Sequence, residues 1–218
     1  MKNLNEYIEH TLLKQDATKS DLIKLFDEAK ENNFLGVCIN PCYIKFAKEN
    51  LKDSNVKIVT VIGFPLGANT TEVKVFETQK AISDGANEID MVINVTKLKD
   101  NDKDFIVNEI KAIKSACSGH NLKVIIETDL LTKEEIKRAC EYSILGGADF
   151  VKTSTGFVKG GVGAKVEDVK LMYETVKNAG LQVKASGGIR DKQTAIDMIN
   201  AGASRLGTSS GVKILKEN

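Results

Sequence analysis

The sequence predicts an α/β fold, a (β/α)8 or TIM barrel, from three observations. Seven β-rich runs recur along the 218 residues, and segments with a helical spacing of apolar residues separate most of them. Such alternation is typical of a parallel sheet whose strands are joined by right-handed helical crossovers. The length suits eight strand–helix units, since compact barrels of this kind start at about 200 residues. We therefore expect one barrel domain over residues 1–218.

The predicted strands are short runs rich in valine and isoleucine, which favour extended backbone. The first is IEHTLL at 8–13, which precedes the first amphipathic segment. The other seven lie at 34–40, 56–64, 88–95, 122–129, 149–154, 181–186 and 204–209. The eight runs supply the strands that a closed barrel of this class requires.

The predicted helices carry apolar residues at positions i, i+3, i+4 and i+7 and charged residues on the opposite face. They lie at 21–32, 72–85, 105–117, 133–147, 166–180 and 192–202. Gly85, Gly146, Gly180 and Gly202 stand at their carboxyl ends, where glycine commonly ends a helix. An open doubly wound sheet is the rival fold, but no G-x-G-x-x-G turn opens the first helix, as its dinucleotide-binding form would require.

Two lysines interrupt apolar strands in matching contexts. FVKTSTGF (150–157) and QVKASGG (182–188) each place a serine two residues after the lysine, with glycine following. Because strand side chains alternate between faces, Lys152 and Lys184 are expected to point into the barrel from neighbouring strands about 4.8 Å apart. Burial and a nearby like charge both lower the pKa of a lysine, and a neutral lysine attacks carbonyls to form a Schiff base. The alternative is that each lysine reaches the barrel mouth or pairs with a carboxylate.

Further reactive side chains lie within other predicted strands. Asp90 in NEIDMVINV shares a face with Glu88, and it could hold a lysine cation or a water that moves protons. A structural ion pair is the alternative for Asp90, and Glu127 in KVIIET is a similar candidate. Cys38 in GVCIN could reach the interior, although a lone cysteine in such a strand usually serves packing.

Glycine-rich turns follow the late strands, as STG (154–156), SGG (186–188) and GTSSG (207–211). Loops after the seventh and eighth strands of such barrels often bind phosphate through backbone N–H groups. Ser209 and Ser210 would add hydroxyl donors there. We therefore expect a phosphate-binding region at this end of the barrel, with ordinary turn glycines as the alternative.

The composition argues against several classes of protein. The formal net charge of +1 disfavours nucleic-acid binding. No apolar run approaches the roughly 20 residues that span a bilayer, and MKNLNEYIEH lacks the apolar core of a signal peptide. We therefore expect a cytoplasmic protein with no membrane partner and with reduced cysteines.

The sequence also lacks two common kinds of catalytic motif. Its two histidines do not form an H-x-x-x-H pair, and no G-x-S-x-G motif occurs. These observations favour lysine chemistry without a metal, on a small phosphorylated carbonyl compound.

Taken together, the motifs resemble those of the deoxyribose-phosphate aldolase family. They occur in order through nearly the whole chain, as IEHTLL, GVCINP, VIGFPLG, EIDMVINV, KVIIET, FVKTSTGF, VKASGGIR and GTSSG. The resemblance implies a class I, Schiff-base aldolase that needs no cofactor and reversibly cleaves 2-deoxy-D-ribose 5-phosphate to acetaldehyde and D-glyceraldehyde 3-phosphate. It also implies a cytoplasmic role in deoxynucleoside breakdown and a homo-oligomer, either a dimer or a tetramer.

The resemblance also implies a role for each matching residue. Lys152 would form the Schiff base, and Lys184 would favour the neutral form of that amine and join proton transfer. Asp90 would pair with Lys184 and handle protons. The implied substrate contacts are Thr11 at a hydroxyl, Cys38 near the carbonyl, Thr155 in the pocket wall, and Gly156, Gly187, Gly188, Ser209 and Ser210 around the phosphate.

One departure from the family pattern stands before the H-T-L-L run, where aspartate is usual and this chain has Glu9. Its longer side chain could accept the same hydrogen bond.

Two other functions stay open. One is a different Schiff-base sugar-phosphate aldolase or transaldolase, which a panel of hexose and tetrose phosphates would separate. The other is a non-catalytic phosphosugar sensor, which would bind without forming product and leaves the paired lysines unexplained.

Overall fold

Eight parallel strands form the centre of the computed structural model, which describes residues 3–217. They are β1 (Ile8–Leu12), β2 (Gly36–Ile39), β3 (Lys57–Ile62), β4 (Glu88–Val92), β5 (Asn121–Ile125), β6 (Phe150–Lys152), β7 (Gln182–Ser186) and β8 (Ala203–Thr208). Each strand pairs with its neighbours in chain order, and β1 also pairs with β8, which closes the barrel. The predicted (β/α)8 fold is confirmed, and the open sheet is excluded.

Helices cover the outside of the barrel. They are α1 (Lys19–Glu31), α2 (Ile44–Leu51), α3 (Thr71–Asp84), α4 (Val95–Lys99), α5 (Lys103–Ala116), α6 (Lys133–Gly146), α7 (Val166–Val176), α8 (Lys192–Asn200) and α9 (Gly211–Lys216). The six predicted helices are present with small shifts at their ends, whereas the short helices α2, α4 and α9 were not predicted. The predicted strand 88–95 is too long, because the Asn94 side chain accepts a hydrogen bond from the Lys97 N–H and starts α4.

The glycines at helix ends divide into two kinds. Gly85 ends α3 with a φ of 118°, as predicted. The same prediction is wrong for Gly146, which is the last residue of α6, while Gly147 takes the left-handed position after it. A Cβ on Gly146 would lie 2.4 Å from the Ile110 side chain. Gly146 therefore allows α6 to pack closely on α5.

Alternate residues of the strands face the helices and the barrel interior. The large core between sheet and helices includes Ile39, Ile62, Ile89 and Met91. A separate small apolar cluster contains Leu13, Cys38, Val59 and Val61, from β2, β3 and the end of β1. The rest of the interior carries charged side chains from β4 to β8 and from β1. Within residues 3–217, no helix is both long and apolar enough to cross a membrane.

Candidate active site

Lys152 and Lys184 stand side by side in the interior and share one carboxylate. They are register partners on β6 and β7. The Nζ atoms of Lys152 and Lys184 lie 2.8 and 2.7 Å from the same Asp90 oxygen, Oδ2. The structure thus brings together the three residues predicted to carry the chemistry.

Lys152 and Lys184 differ in their access to the cavity. Lys152 lines a cavity of about 310 Å³ at the carboxyl ends of the strands. Lys184 is fully buried and also donates to Glu9 Oε2. A Cβ on Gly207 would lie 3.1 Å from Lys184 Cε, so glycine at this position leaves room for the lysine. A ligand in the cavity can therefore meet the amine of Lys152 but not that of Lys184.

The carboxylates determine the charge of Lys184. Burial by itself would lower the pKa of Lys184, but Asp90 and Glu9 outweigh it and raise this pKa well above its usual value. The expectation that burial and a like charge would lower the pKa is therefore wrong for Lys184. Burial would likewise raise the pKa of Asp90, but Lys123, Lys152 and Lys184 hold it well below its usual value. Asp90 is thus a carboxylate and Lys184 an ammonium at neutral pH.

Three further charged residues of the interior were not predicted as part of the site. Lys123 on β5 lies 3.1 Å from Asp90 Oδ1 and 2.6 Å from Glu88 Oε2. Arg205 on β8 lies 3.6 Å from Glu88 Oε1. Burial would raise the pKa of Glu88, but the charge of Lys123 and the other cations lower it to about 2. The alternation that placed Asp90 inside also applies to LKVIIET, where it would have placed Lys123 inside.

The cavity wall contains most of the predicted substrate contacts. These are Thr11, Thr155, Gly156, Gly187, Gly188 and Ser209. Cys38 lies instead in the apolar cluster beside Val59 and Val61, where burial raises the pKa of its thiol. Ser210 precedes α9, and its N–H donates to Thr208 Oγ1 at 2.9 Å.

Glu127 holds the loop after β6. It follows β5 with a φ of 60°, and its carboxylate accepts hydrogen bonds from the N–H of Thr155 at 3.1 Å and from the Thr155 hydroxyl. Burial raises the pKa of Glu127. Glu127 thus holds Thr155, which lines the cavity, whereas the sequence suggested a role like that of Asp90.

The loop 157–165 packs directly against the turn after β7. Gly163 has a φ of 81°, and a Cβ there would lie only 2.4 Å from the carbonyl carbon of Gly187. The N–H of Ala164 donates to the Gly187 carbonyl at 3.1 Å. Glycine at position 163 therefore permits the two loops to meet beside the cavity.

Two cationic side chains to which the sequence assigned no role also line the cavity. Arg190 follows the SGG turn, and Lys14 follows β1 near Ser209. A guanidinium matches the geometry of a phosphate group, and an ammonium adds positive charge. The phosphate-binding region expected from the glycines thus has candidate charged ligands as well.

The chain has clear similarity to known proteins. It matches the family described as DeoC/LacD family aldolase over residues 6–217. A deoxyribose-phosphate aldolase of Mycoplasma capricolum is 57% identical over 97% of this chain and 94% of the relative. One from Finegoldia magna is 56% identical over 98% of this chain and 99% of the relative. Among solved structures, the deoxyribose phosphate aldolase of Aeropyrum pernix, described as tetrameric, is 36% identical with a TM-score of 0.90 over 98% of this chain and 89% of its own.

Proposed function

Because the chain belongs to the DeoC/LacD family of aldolases, we propose that it has deoxyribose-phosphate aldolase activity. It would reversibly cleave 2-deoxy-D-ribose 5-phosphate to acetaldehyde and D-glyceraldehyde 3-phosphate, in deoxynucleoside breakdown. The observation that carries this proposal is the placement of Lys152, which faces the cavity while sharing Asp90 Oδ2 with Lys184. The curated relatives bear the name of this activity.

The charges of the interior support Lys152 as the nucleophile. The buried carboxylates are Glu9, Glu88 and Asp90, and the cations in contact with them inside the barrel are Lys123, Lys152, Lys184 and Arg205. This makes four positive charges against three negative ones, so the interior would be neutral if one of the lysines were uncharged. Lys152 is the lysine of this group that lines the cavity, so its amine is the one that a bound substrate can reach.

The first half of the reaction follows from this arrangement. The Lys152 amine adds to the C1 aldehyde of the open-chain sugar, and loss of water leaves a protonated imine. The imine nitrogen then serves as an electron sink. A base, which we assign to a water held by Asp90 and Lys184, removes the proton of the C3 hydroxyl. The C3–O electrons form the aldehyde of glyceraldehyde 3-phosphate as the C2–C3 bond breaks.

The second half returns the enzyme to its starting state. The C2–C3 electron pair is left as an enamine between Lys152 and the two-carbon fragment. Protonation at C2 regenerates the imine, and water hydrolyses it to acetaldehyde and the free amine. We assign that proton to Lys184, which Asp90 and Glu9 hold cationic and which would pass it through the same water.

We expect Arg190 to bind the substrate phosphate. Arg190→Met should raise KM for 2-deoxyribose 5-phosphate by about 10- to 100-fold, because a charged hydrogen bond contributes about 1.5–3 kcal/mol, and should change kcat little. Arg190→Lys should recover part of the loss. Steady-state kinetics with phosphorylated and unphosphorylated deoxyribose provide the measurement, and an equal loss on both sugars would contradict a phosphate contact.

Borohydride trapping tests the proposed function directly. The protein is incubated with acetaldehyde, reduced with sodium borohydride, digested and mapped by mass spectrometry. We expect an added ethyl group on Lys152. Label on Lys184 would keep the aldolase class but exchange the roles of the two lysines. No label on folded protein, together with binding of the phosphosugar without product, would favour a phosphosugar sensor.

We also propose a homo-oligomer that acts in the cytoplasm. The Aeropyrum pernix relative is described as tetrameric. All four cysteines are free, which suits a reducing compartment. Light scattering after size-exclusion chromatography would give the mass in solution, and a monomer at every concentration would contradict the oligomer.

A further inference from the structure

Lys123 is a third buried lysine beside Asp90, and the chemistry above gives it no part. Its Nζ lies 3.1 Å from Asp90 Oδ1, whereas Lys152 and Lys184 both contact Oδ2. Asp90 and Lys123 are register partners on β4 and β5. Lys123 is fully buried, and the described cavity wall does not include it. Both oxygens of Asp90 are therefore held, by lysines from three successive strands.

Lys123 is itself fixed in place. Its Nζ lies 2.6 Å from Glu88 Oε2 and 5.6 Å from the centre of the Phe150 ring. The other oxygen of Glu88 is 2.8 Å from Nζ of Lys57, which is partly exposed at the start of β3. A line of alternating charges thus runs from Lys57 through Glu88 and Lys123 to Asp90. Glu88 is also held by Arg205 and by the side-chain amide of Asn121, so its position, and that of Lys123, does not depend on Lys57.

We propose that Lys123 is a positioning residue for the aldolase reaction, one that fixes the rotation of the Asp90 carboxylate through its contact with Oδ1. Without a partner on Oδ1, the carboxylate could turn and withdraw Oδ2 from its place between Lys152 and Lys184. A misplacement of about 1 Å in a catalytic group can cost about 10²-fold in rate. The inference rests on the proposed function, because Asp90 acts in that mechanism.

The charge on Asp90 depends on the same contact. The titratable groups around it in the interior are Lys123 on β5, Lys152 on β6, Lys184 on β7, Glu88 on β4, Glu9 on β1 and Cys38 on β2. Burial raises the pKa of Asp90, and the charges of Lys123, Lys152 and Lys184 lower it. Removal of Lys123 should therefore raise the pKa of Asp90.

The test is Lys123→Met, assayed for kcat and KM across pH with 2-deoxyribose 5-phosphate. We expect kcat to fall by about 10²-fold with KM nearly unchanged, because Lys123 does not touch the cavity. The acidic limb of the kcat profile should move to higher pH, since loss of the Lys123 cation makes Asp90 easier to protonate. A purely structural loss would lower the amount of active enzyme without moving that limb.

Two further variants make the outcome decisive. Lys57→Met is the matched control, because it also removes a lysine from Glu88 but does not contact Asp90, and it should keep the wild-type kcat and acidic limb. If Lys123→Met does not fold, the double variant Lys123→Met/Glu88→Leu also removes the buried carboxylate that pairs with Lys123, and it should show the same shift. Wild-type kcat and an unmoved acidic limb in a folded Lys123 variant would overturn the inference and leave the aldolase activity standing. A wild-type protein that forms no product would overturn both.

Discussion

Lys152→Met is expected to abolish turnover of 2-deoxyribose 5-phosphate, with a loss of about 10⁴-fold or more in kcat, since loss of a covalent nucleophile removes the whole pathway. The imine cannot form without the amine, and the neighbouring Lys184 cannot substitute. That second amine is fully buried and bound to both Glu9 and Asp90. Steady-state assays and borohydride trapping with acetaldehyde should both give background values.

Lys152→Arg separates nucleophilicity from charge. Arginine keeps a cation beside Asp90, but its guanidinium remains protonated and cannot form an imine. We expect it to be as inactive as the methionine variant. Lys159→Met, an exposed lysine in the following loop, is the control and should keep wild-type activity. More than a small residual rate in folded Lys152→Arg would show that another amine forms the imine.

The barrel could be predicted because its signal is local and repeated. The period of apolar residues along each segment indicated eight strands and six helices. The helix α4 was missed because five residues, Val95–Lys99, are too few for a helical period to appear. Gly146 and Gly147 could not be told apart as helix ends in the sequence. Gly146 stays within α6 because Ile110 of α5 packs against it in the folded chain, a contact that the sequence does not show.

The sequence predicted which residues form the centre of the site, but not how their charges affect one another's pKa values. Alternation along each strand placed Lys152, Lys184 and Asp90 inside before any contact was known. The direction of the Lys184 pKa could not be predicted, since Glu9, one of the two carboxylates that raise it, lies 175 residues away in the chain. Alternation along LKVIIET places Lys123 inside as well, but its ion pairs with Glu88, Asp90 and the distant Glu9 could not be predicted from the sequence. Charge pairing across a barrel interior depends on the closed fold.

Lys184→Leu is expected to lower kcat at neutral pH by about 10²-fold or more, as loss of a group that transfers protons typically does. Asp90 and Glu9 outweigh the effect of burial and hold the pKa of Lys184 well above its usual value, so the wild-type residue is charged at every pH of an ordinary assay. The leucine variant lacks this charge. Asp90 then keeps one cation fewer, and Lys152 loses a like charge beside it.

Both changes favour the protonated form of the Lys152 amine, because a carboxylate stabilises an ammonium that no longer has a like-charged neighbour. The pH of maximal kcat in Lys184→Leu should therefore move to higher values, where the remaining lysine can again lose its proton. Lys184→Arg retains the charge and should keep the wild-type pH optimum even if the larger group lowers the rate. A leucine variant with an unchanged pH optimum would show that Lys184 acts through its contacts alone, and that its positive charge does not set the protonation of Lys152.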